Sequence, residues 1–398
     1  MTRTERGVCL LAAVVLWAVG QAPAAGGAEG RRCRINGYQV LELKGSPTDL
    51  GEQHGRLLGW RVRRCIEEVL LEGEAKSPEA RREMVEGARV MERHLEPEFR
   101  RELRALARAA GVDYGLLVLL QLFGDVDRAL ADLRFRSYSP TPTFGPLPPQ
   151  CTSFAVFGPA TAAGECIVGR NMDFDDHGVS SWGAVLIHYQ PDRGLPFFTT
   201  SWAGIINGWT AMNTAGIICA NNTSFSGKSD SLEGLSTCFM VRKVAQYART
   251  VEEGVAIVRD TPRACGTNLI IAGGDPPNAA IVEYDHDAVE VRWAEQGAVW
   301  ADNSFYKLYR EGSAPYIYSG SRYAVLRDLI ETNRGAINRR MNFAAAPGVP
   351  IRSMNLHSAL LFPATREFRI SMGKQPAADH LYRPFILTET GLLPGRIP

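Results

Sequence analysis

The sequence predicts an α+β protein in which layers of sheet and helix form a sandwich, preceded by a helical segment. Three observations support this prediction. Apolar residues recur with helical spacing from Gly45 to about Val126. After Cys151 the pattern becomes that of short strands. Helical spacing then returns in a block that begins near Ser236, and strands and helices in this order are typical of a layered sandwich.

The N-terminal region is predicted to contain three helices and a buried apolar run. Ser46 is a typical N-cap residue, and Pro47 stands at the first helical position. One apolar face of this first helix is formed by Leu58, Val62, Cys65, Ile66 and Val69. The apolar residues of the second predicted helix are Met84, Ala88, Met91 and Leu95, and those of the third are Phe99, Leu103, Leu106 and Ala110. The run 116–123 is apolar and is expected to be buried.

The region after Cys151 is predicted to open with a β-hairpin. Its strands are residues 152–157 and 166–171, and a small glycine-containing loop joins them. Further strands are predicted at residues 185–189, 197–200, 216–220, 269–272, 280–284 and 289–293. Helices are predicted at residues 236–247, from Thr250 onward and at residues 321–332.

The composition gives no argument for a nucleic acid or an anionic membrane as partner. The chain has 398 residues, with 44 basic and 43 acidic side chains and a net charge of +1. It contains no serine elbow, zinc helix or phosphate-binding loop, so no cofactor and no metal are expected. His54 is interpreted as a helix-surface residue, and His286, between Asp285 and Asp287, as part of a polar turn between two strands.

The first residues are typical of a secretory signal peptide. Arg3 and Arg6 precede an apolar run at residues 8–19, which is too short to span a bilayer comfortably. Small residues follow at Ala22 and Ala24, where signal peptidase reads the chain. The mature protein is therefore expected to be secreted or periplasmic, without an integral membrane span. An uncleaved anchor is the alternative.

Cysteine count and a proline-rich segment draw attention to Cys151. Seven cysteines follow the leader, and an odd number in an exported chain leaves at least one free thiol. No C-x-x-C spacing favours a structural zinc site. Residues 137–150 are rich in proline and are predicted to be an exposed linker of the kind where chains are cut. This linker ends directly before Cys151.

The residues around Cys151 suit nucleophilic chemistry. Arg170 and Asp173 follow one hairpin later, so the returning strand would bring them within reach of Cys151. If Cys151 were a chain terminus, its α-amine could accept the thiol proton, and no catalytic histidine would be needed. Asp173 would hold that amine, and Arg170 would favour the thiolate. The alternative interpretation is a buried cysteine beside a structural Arg–Asp ion pair.

A family resemblance favours the catalytic interpretation. Cys-Thr-Ser-Phe at 151–154 and Gly-Arg-Asn-Met-Asp-Phe at 169–174 resemble the nucleophile region of acid ceramidase, bile-salt hydrolase, penicillin V acylase and fungal penicillin acyltransferase. Residues 46–68 and 95–113 are similar to the propeptide of the acyltransferase group. The resemblance implies an αββα sandwich of the N-terminal-nucleophile hydrolase type, with a cysteine nucleophile. It also implies self-cleavage before that cysteine.

The resemblance also implies a set of site residues. Cys151 matches the nucleophile, and Arg170 and Asp173 match the pair on the second strand. The turn at residues 212–216 precedes a strand from which the Asn222 backbone would donate to the oxyanion, with Asn221 as the alternative register. The implied side-chain donor is Asn303, and the implied second arginine is Arg322. Two departures are Gln150, where the acyltransferase has glycine, and the missing threonine and histidine beside Asn303.

These observations together predict a self-activated amidohydrolase. Its parts are a signal peptide (1–28), a helical propeptide or small chain (29–150, with the linker at 137–150) and an N-terminal-nucleophile catalytic domain (151–398). It would hydrolyse a linear N-acyl amide through a Cys151 thioester and keep its own helical chain as a bound partner. Acyl transfer to an amine acceptor and an uncut, non-catalytic binding protein of the same fold are the alternatives.

Overall fold

The structure, a computed structural model, describes residues 29–138, 150–225, 229–308 and 320–396. The predicted signal peptide, 1–28, and residues 139–149 of the predicted linker lie outside the described residues. Within the described ranges, no helix combines the length and the apolar character that crossing a membrane requires.

Eight α-helices and sixteen strands are found in the described residues. The helices are α1 Pro47–Cys65, α2 Pro78–Glu92, α3 Pro97–Ala110, α4 Tyr114–Tyr138, α5 Ser180–Gly183, α6 Thr237–Tyr247, α7 Val251–Asp260 and α8 Gly320–Thr332. The strands are β1 Arg31–Ile35, β2 Tyr38–Gly45, β3 Gln150–Gly158, β4 Gly164–Asp173, β5 Ala184–Pro191, β6 Phe197–Trp202, β7 Thr210–Asn213, β8 Ile217–Thr223, β9 Thr267–Gly273, β10 Asn278–Tyr284, β11 Val289–Trp293, β12 Ala298–Ala301, β13 Asn355–Phe362, β14 Glu367–Met372, β15 Arg383–Leu387 and β16 Leu392–Pro394. A π-helical segment, Ile66–Glu74, continues α1.

The strands form two sheets. One has nine strands in the order β1-β2-β5-β6-β7-β8-β9-β10-β11, and the other has seven in the order β12-β3-β4-β13-β14-β15-β16. Most neighbours are antiparallel, which allows short hairpin connections. The exception in the larger sheet is β2, which pairs in parallel with β5.

Three apolar cores separate four layers. The largest lies between the nine-stranded sheet and a layer formed by α1 to α4, α6 and α7. The second lies between the two sheets, where Phe198 stacks on Phe368 with ring centroids 3.8 Å apart. The third lies between the seven-stranded sheet and α8. This is the αββα sandwich that the sequence and its resemblance predicted.

The N-terminal segment contains strands as well as helices, so the description of residues 29–150 as helical is incomplete. Residues 31–45 form β1 and β2, and β2 lies beside β5 inside the nine-stranded sheet. The predicted linker also begins two residues too early, because α4 continues through Ser137 to Tyr138. The first helix begins as predicted, with Pro47 at its first position and Ser46 and Asp49 forming a reciprocal capping box.

A buried ion pair fixes the N-terminal helices to the rest of the protein. Arg242 of α6 donates to both carboxylate oxygens of Glu102 in α3, at 3.1 and 2.6 Å, and both side chains are 1% exposed. The Arg242 guanidinium also lies 4.5 Å from the ring centre of Tyr189 and donates to the Ile206 carbonyl at 2.6 Å. Because a buried pair is satisfied only when both partners are in place, this contact fixes α3 against α6.

The loop between β6 and β7 is held by side chains of the N-terminal segment. His54 is fully buried, so its interpretation as a helix-surface residue is wrong; its Nε2 accepts from the Gly204 N–H at 3.0 Å. Gln121 accepts from the Ile206 N–H at 2.8 Å and donates to the Gly204 carbonyl at 2.8 Å. Burial, with a smaller contribution from Arg242, lowers the pKa of His54 to about 3, which keeps the ring neutral.

Candidate active site

The predicted hairpin at Cys151 is formed by β3 and β4. The antiparallel register pairs Cys151 with Met172 and Ser153 with Arg170. Directly opposed residues of an antiparallel pair share a face of the sheet, so Cys151 and Arg170 lie on the same face. Asp173 pairs with Gln150 and therefore belongs to the opposite face. The hairpin thus brings both predicted residues near Cys151, but from different sides of the strand.

The backbone of Cys151 is enclosed by a polar network. Its N–H donates to Asn303 Oδ1 at 2.6 Å, and its carbonyl accepts from Arg322 Nη1 at 3.2 Å. Arg322 Nη2 also donates to Asn303 Oδ1, at 3.0 Å. Cys151 itself is 3% exposed. The structure therefore brings three of the predicted site residues together around one peptide unit.

The orientation of Asn303 differs from the predicted one. Its Oδ1 faces the Cys151 backbone, and its Nδ2 donates to the Thr223 carbonyl. An oxyanion donor must offer an N–H to the substrate. In this uncut chain the side chain instead positions the backbone nitrogen of Cys151.

Asp173 is buried within the same network. One carboxylate oxygen accepts from the Ile351 N–H at 2.8 Å, and the other accepts from Asn355 Nδ2 at 2.7 Å. Arg322 Nη1 lies 3.9 Å from Asp173 Oδ2. Burial raises the pKa of Asp173 to about 6, against the opposing effects of these two hydrogen bonds and of Arg322 and Arg170.

Arg170 and Asn222 complete the surroundings of Cys151. Arg170 is 1% exposed and donates to the backbone carbonyls of Asn171 and Asn221. Asn222 donates through Nδ2 to Ser153 Oγ at 2.8 Å and to the Ala301 carbonyl at 3.2 Å. Ser153 stands two residues after Cys151 on the same face of β3, so Asn222 ties β8 to the nucleophile strand.

The other six cysteines of the described residues are free thiols whose pKa is raised. Cys65, Cys166, Cys219, Cys238 and Cys265 are all buried, and Cys33 is partly exposed. Burial raises the pKa of each of these thiols, to about 12 for Cys65 and Cys166. A thiol with a raised pKa is a poor nucleophile near neutral pH. These six thiols are therefore poor candidates for a nucleophile near neutral pH.

An apolar pocket lies next to β4, the strand that pairs with the nucleophile strand. Met172, the partner of Cys151 across the hairpin, forms part of its wall. Its lining residues come from both halves of the chain: Cys65, Val69, Leu120 and Phe123 before the linker, and Met172, Phe174, Asp175, Asp176, His177, Val179, Trp202, Ile205, Trp209 and Leu356 after it.

Sequence reasoning missed several residues of this site. Asn355, which donates to Asp173, begins β13, a strand that was not predicted. Gln121 and His54 of the N-terminal helices fix a loop whose Ile205 lines the pocket. A polar residue inside the apolar run 116–123 was the one available signal for Gln121.

The chain is similar to a known family and to a curated relative. Residues 161–344 match the sequence model of the family described as acyl-coenzyme A:6-aminopenicillanic acid acyl-transferase. An uncharacterized protein of Archaeoglobus fulgidus is 28% identical over 307 residues, covering 73% of this chain and 51% of that protein. The chain thus spans about half the length of this curated relative.

Two solved structures are similar at lower levels. An N-acylethanolamine-hydrolyzing acid amidase ortholog of Caenorhabditis elegans is 14% identical with a TM-score of 0.42, covering 62% of this chain and 100% of that one. A conjugated bile acid hydrolase variant of Clostridium perfringens is 12% identical with a TM-score of 0.45, covering 62% of this chain and 97% of that one. Likenesses at this level carry no argument about activity.

The family match covers β4, which carries Arg170 and Asp173, and continues beyond Arg322. Cys151 lies just before the matched residues and pairs with β4. The match supports an acyl amidase or acyltransferase of the N-terminal-nucleophile type. The resemblance seen in the sequence is therefore confirmed, since residues 161–344 match the model of the penicillin acyltransferase family.

Proposed function

We propose that this protein is an exported precursor that cuts itself between Gln150 and Cys151 and then hydrolyses a linear N-acyl amide. The observation that carries the proposal is the network around the Cys151 backbone. Asn303 accepts from the nitrogen of the Gln150–Cys151 peptide bond, and Arg322 binds both Asn303 and the Cys151 carbonyl. Any buried backbone N–H needs an acceptor; what supports a catalytic role is that both contacts at Cys151 come from the two side chains, Asn303 and Arg322, that the family resemblance implies as site residues.

Self-cleavage would begin with attack of the Cys151 thiol sulfur on the Gln150 carbonyl carbon. The C–N bond breaks, the acyl group moves to sulfur, and the nitrogen leaves as an amine after it receives the thiol proton. Water then hydrolyses the thioester, which frees the Gln150 carboxylate and the thiol. The amide hydrogen bond to Asn303 fixes the scissile nitrogen throughout this step.

The mature enzyme would use the new α-amine as its base. The amine takes the thiol proton, the sulfur attacks the substrate carbonyl, and the proton is returned to the leaving amine. Water attacks the resulting thioester and releases the acid. Asn303 would orient the amine. The negative charge of Asp173 would stabilise the protonated amine, and the positive charges of Arg170 and Arg322 would stabilise the thiolate.

Oxyanion stabilisation is assigned to the Asn222 backbone and to Asn303. For Asn303 the assignment requires its Nδ2 to leave the Thr223 carbonyl once the chain is cut. Removal of one oxyanion donor typically costs about 3 kcal/mol of barrier. Asn303→Ala is therefore expected to slow turnover by about a hundredfold or more, and to slow self-cleavage as well.

The pocket favours an apolar acyl group as substrate. Aromatic and aliphatic side chains form most of its wall, and Met172 connects it to the nucleophile strand. A panel of N-acyl-7-amino-4-methylcoumarin amides, from acetyl to palmitoyl, tests this proposal directly. We expect kcat/KM to rise with chain length, and Val69→Phe, which narrows the pocket, to reduce kcat/KM for the long chains only.

Acyl transfer is the second candidate, because the matched family is described by a transferase activity. The same thioester would then pass its acyl group to an amine in place of water. Hydroxylamine added to the assay distinguishes the two reactions. Hydroxamate formed in preference to free acid at millimolar amine would favour transfer.

The first test is intact mass and N-terminal sequencing of the purified protein beside Cys151→Ala and Cys166→Ala. Cys166 is the matched control, since it lies on the other strand of the hairpin and is also 3% exposed. We expect two fragments in the wild type and in Cys166→Ala, with the larger beginning Cys-Thr-Ser-Phe, and one chain in Cys151→Ala. A single chain in all three proteins would contradict the proposal and favour the uncut binding protein.

A further inference from the structure

We propose that Arg128, in α4 of the N-terminal segment, is a positioning residue for the Cys151 nucleophile. It makes no contact with Cys151 and acts through the backbone that follows β8. The inference rests on the function proposed above and adds to it: the N-terminal segment would be a working part of the active site after cleavage.

Arg128 uses its whole guanidinium in buried contacts. Nε and Nη2 each donate to one oxygen of Asp230 at 3.1 Å. Nη1 donates to the Gly266 carbonyl at 3.0 Å, and Nη2 donates to the Ser224 carbonyl at 2.8 Å. The guanidinium carbon also lies 4.3 Å from the ring centre of Phe225. A planar fork of five donors suits this set of acceptors, and a lysine could satisfy only part of it.

Two hydrogen bonds connect the segment that Arg128 holds to the nucleophile. Ser224, whose carbonyl Arg128 holds, directly follows Thr223, the last residue of β8. The Thr223 carbonyl accepts from Asn303 Nδ2, and Asn303 Oδ1 accepts from the Cys151 nitrogen at 2.6 Å. A shift of residues 223–224 would therefore rotate the Asn303 amide that orients the nucleophile.

Asp125, one turn earlier on α4, secures the other end of the same loop. Its Oδ2 accepts from the Thr237 N–H at 2.7 Å, at the first residue of α6. Ser236, the N-cap residue of α6, makes no side-chain cap of its own, so the cap comes from α4. Asp125 and Arg128 together hold the chain where it leaves β8 and where it enters α6.

Removal of Arg128 would leave the Asp230 carboxylate buried with, among the described residues, the Gly266 N–H as its remaining hydrogen-bond donor, at 2.9 Å. Burial raises the pKa of Asp230, and the charge of Arg128 opposes that effect. Without the arginine the carboxyl group would take up a proton or draw in water, and the backbone beside it would move.

A purely structural role would predict a different result from a positioning role. Within the described residues, the hydrogen bonds, ion pairs and ring contact of Arg128 involve none of the residues that line the apolar pocket. Substrate affinity should therefore survive its replacement, while the rate of the chemical step should fall. A misplacement of about 1 Å far from the chemistry can cost about a hundredfold in rate.

The experiment compares full-length wild type with Arg128→Met, Arg128→Lys and the control Arg104→Met, an exposed arginine of α3. Four quantities are measured: the rate of self-cleavage, kcat and KM for a long-chain N-acyl-7-amino-4-methylcoumarin amide, the rate of Cys151 alkylation by iodoacetamide, and the melting temperature. We expect Arg128→Met to lower the cleavage rate and kcat by about ten- to a hundredfold with KM within about twofold. Arg128→Lys should recover part of the loss, and Arg104→Met should match the wild type.

Each outcome decides the inference. Equal kcat, cleavage and alkylation rates in Arg128→Met and wild type would overturn it, and so would a loss that appears only in KM. If Arg128→Met does not fold, Arg128→Lys and Asp230→Asn carry the same comparison. An uncut, inactive wild type refutes the proposed function instead, and the ratio of Cys151 alkylation rates then still tests whether Arg128 positions the thiol.

Discussion

Replacement of Arg242 by methionine is expected to destabilise the fold by about 3 to 5 kcal/mol. The variant keeps the length of the side chain and removes the charge that faces Glu102. Both groups are 1% exposed, and the pair is joined by two hydrogen bonds of 3.1 and 2.6 Å. Burial raises the pKa of Glu102, and loss of Arg242 removes the charge that opposes this effect. The lone carboxyl group would therefore protonate, or be exposed by movement of α3.

The assay is urea unfolding at pH 7 in a Cys151→Ala background, called the uncut variant below, so that one chain unfolds in every sample. Glu102→Leu added to Arg242→Met should return part of the lost stability, because a buried pair replaced on both sides is tolerated better than one broken on one side. Arg64→Met is the control: Arg64 and Glu68 are 48% and 21% exposed, and such pairs contribute less than about 1 kcal/mol. A loss below about 1 kcal/mol in Arg242→Met, or a double variant less stable than the single one, would refute the reasoning.

Three further predictions concern the uncut variant. Because burial raises the pKa of Asp173 from 3.8 to about 6, stability should fall by roughly 3 kcal/mol as pH rises from 4 to above 6. Asp173→Asn should remove this dependence in urea unfolding at several pH values, and an unchanged pH profile would contradict the assignment. The pKa of His54 is lowered to about 3 in the folded protein, so the unfolded chain binds a proton that the folded chain excludes. The free energy of unfolding should therefore fall by roughly 2 kcal/mol as the pH is lowered to 5. His54→Phe should not show that acid sensitivity. It should be about 1 to 3 kcal/mol less stable at pH 7, because the Gly204 N–H loses its acceptor, and urea unfolding measures both effects. Gly51→Ala should lower the melting temperature, because its Cβ would overlap the backbone of α3. Gly59→Ala is the control and should not lower it, because the nearest atom to its Cβ is 3.5 Å away. Equal shifts in both variants would show that α1 can move away from α3.

The sequence was most informative where residues act through local spacing. The hairpin that carries Cys151, Arg170 and Asp173 was predicted to within two residues at each strand end, since two short strand-like runs joined by a glycine-containing loop indicate a hairpin. The N-cap at Ser46 was equally clear. These features depend on neighbours within about twenty residues, so a single sequence contains the whole signal.

Long-range features could not be predicted in this way. Strand β2 finds its partner β5 about 145 residues later, and no local pattern distinguishes a parallel pairing across such a distance. Strand β13 was missed because its sequence, Asn-Leu-His-Ser-Ala-Leu-Leu-Phe, contains no β-branched residue and shows no regular alternation. The Asn303 and Arg322 assignments came from family resemblance, because side chains from separate segments meet only after folding.

Buried polar side chains were the other gap. His54 sits on a helix among charged residues, and nothing in its spacing indicated that it faces a loop from another part of the chain. Arg128 and Asp230 were likewise invisible as a pair, since they are 102 residues apart. A buried charge has no sequence signature until its partner is known.

The parallel pairing of β2 with β5 has a consequence for the life of the molecule. Before cleavage, one covalent chain holds both strands, so unfolding and refolding do not depend on protein concentration. After a cut behind Gln150, the same sheet would be formed by two separate polypeptides. Refolding after denaturation would then be a second-order process that fails on dilution. The mature protein would then remain folded because it unfolds slowly. It would have folded once as a single chain, and self-cleavage would have removed the covalent link that made efficient refolding possible.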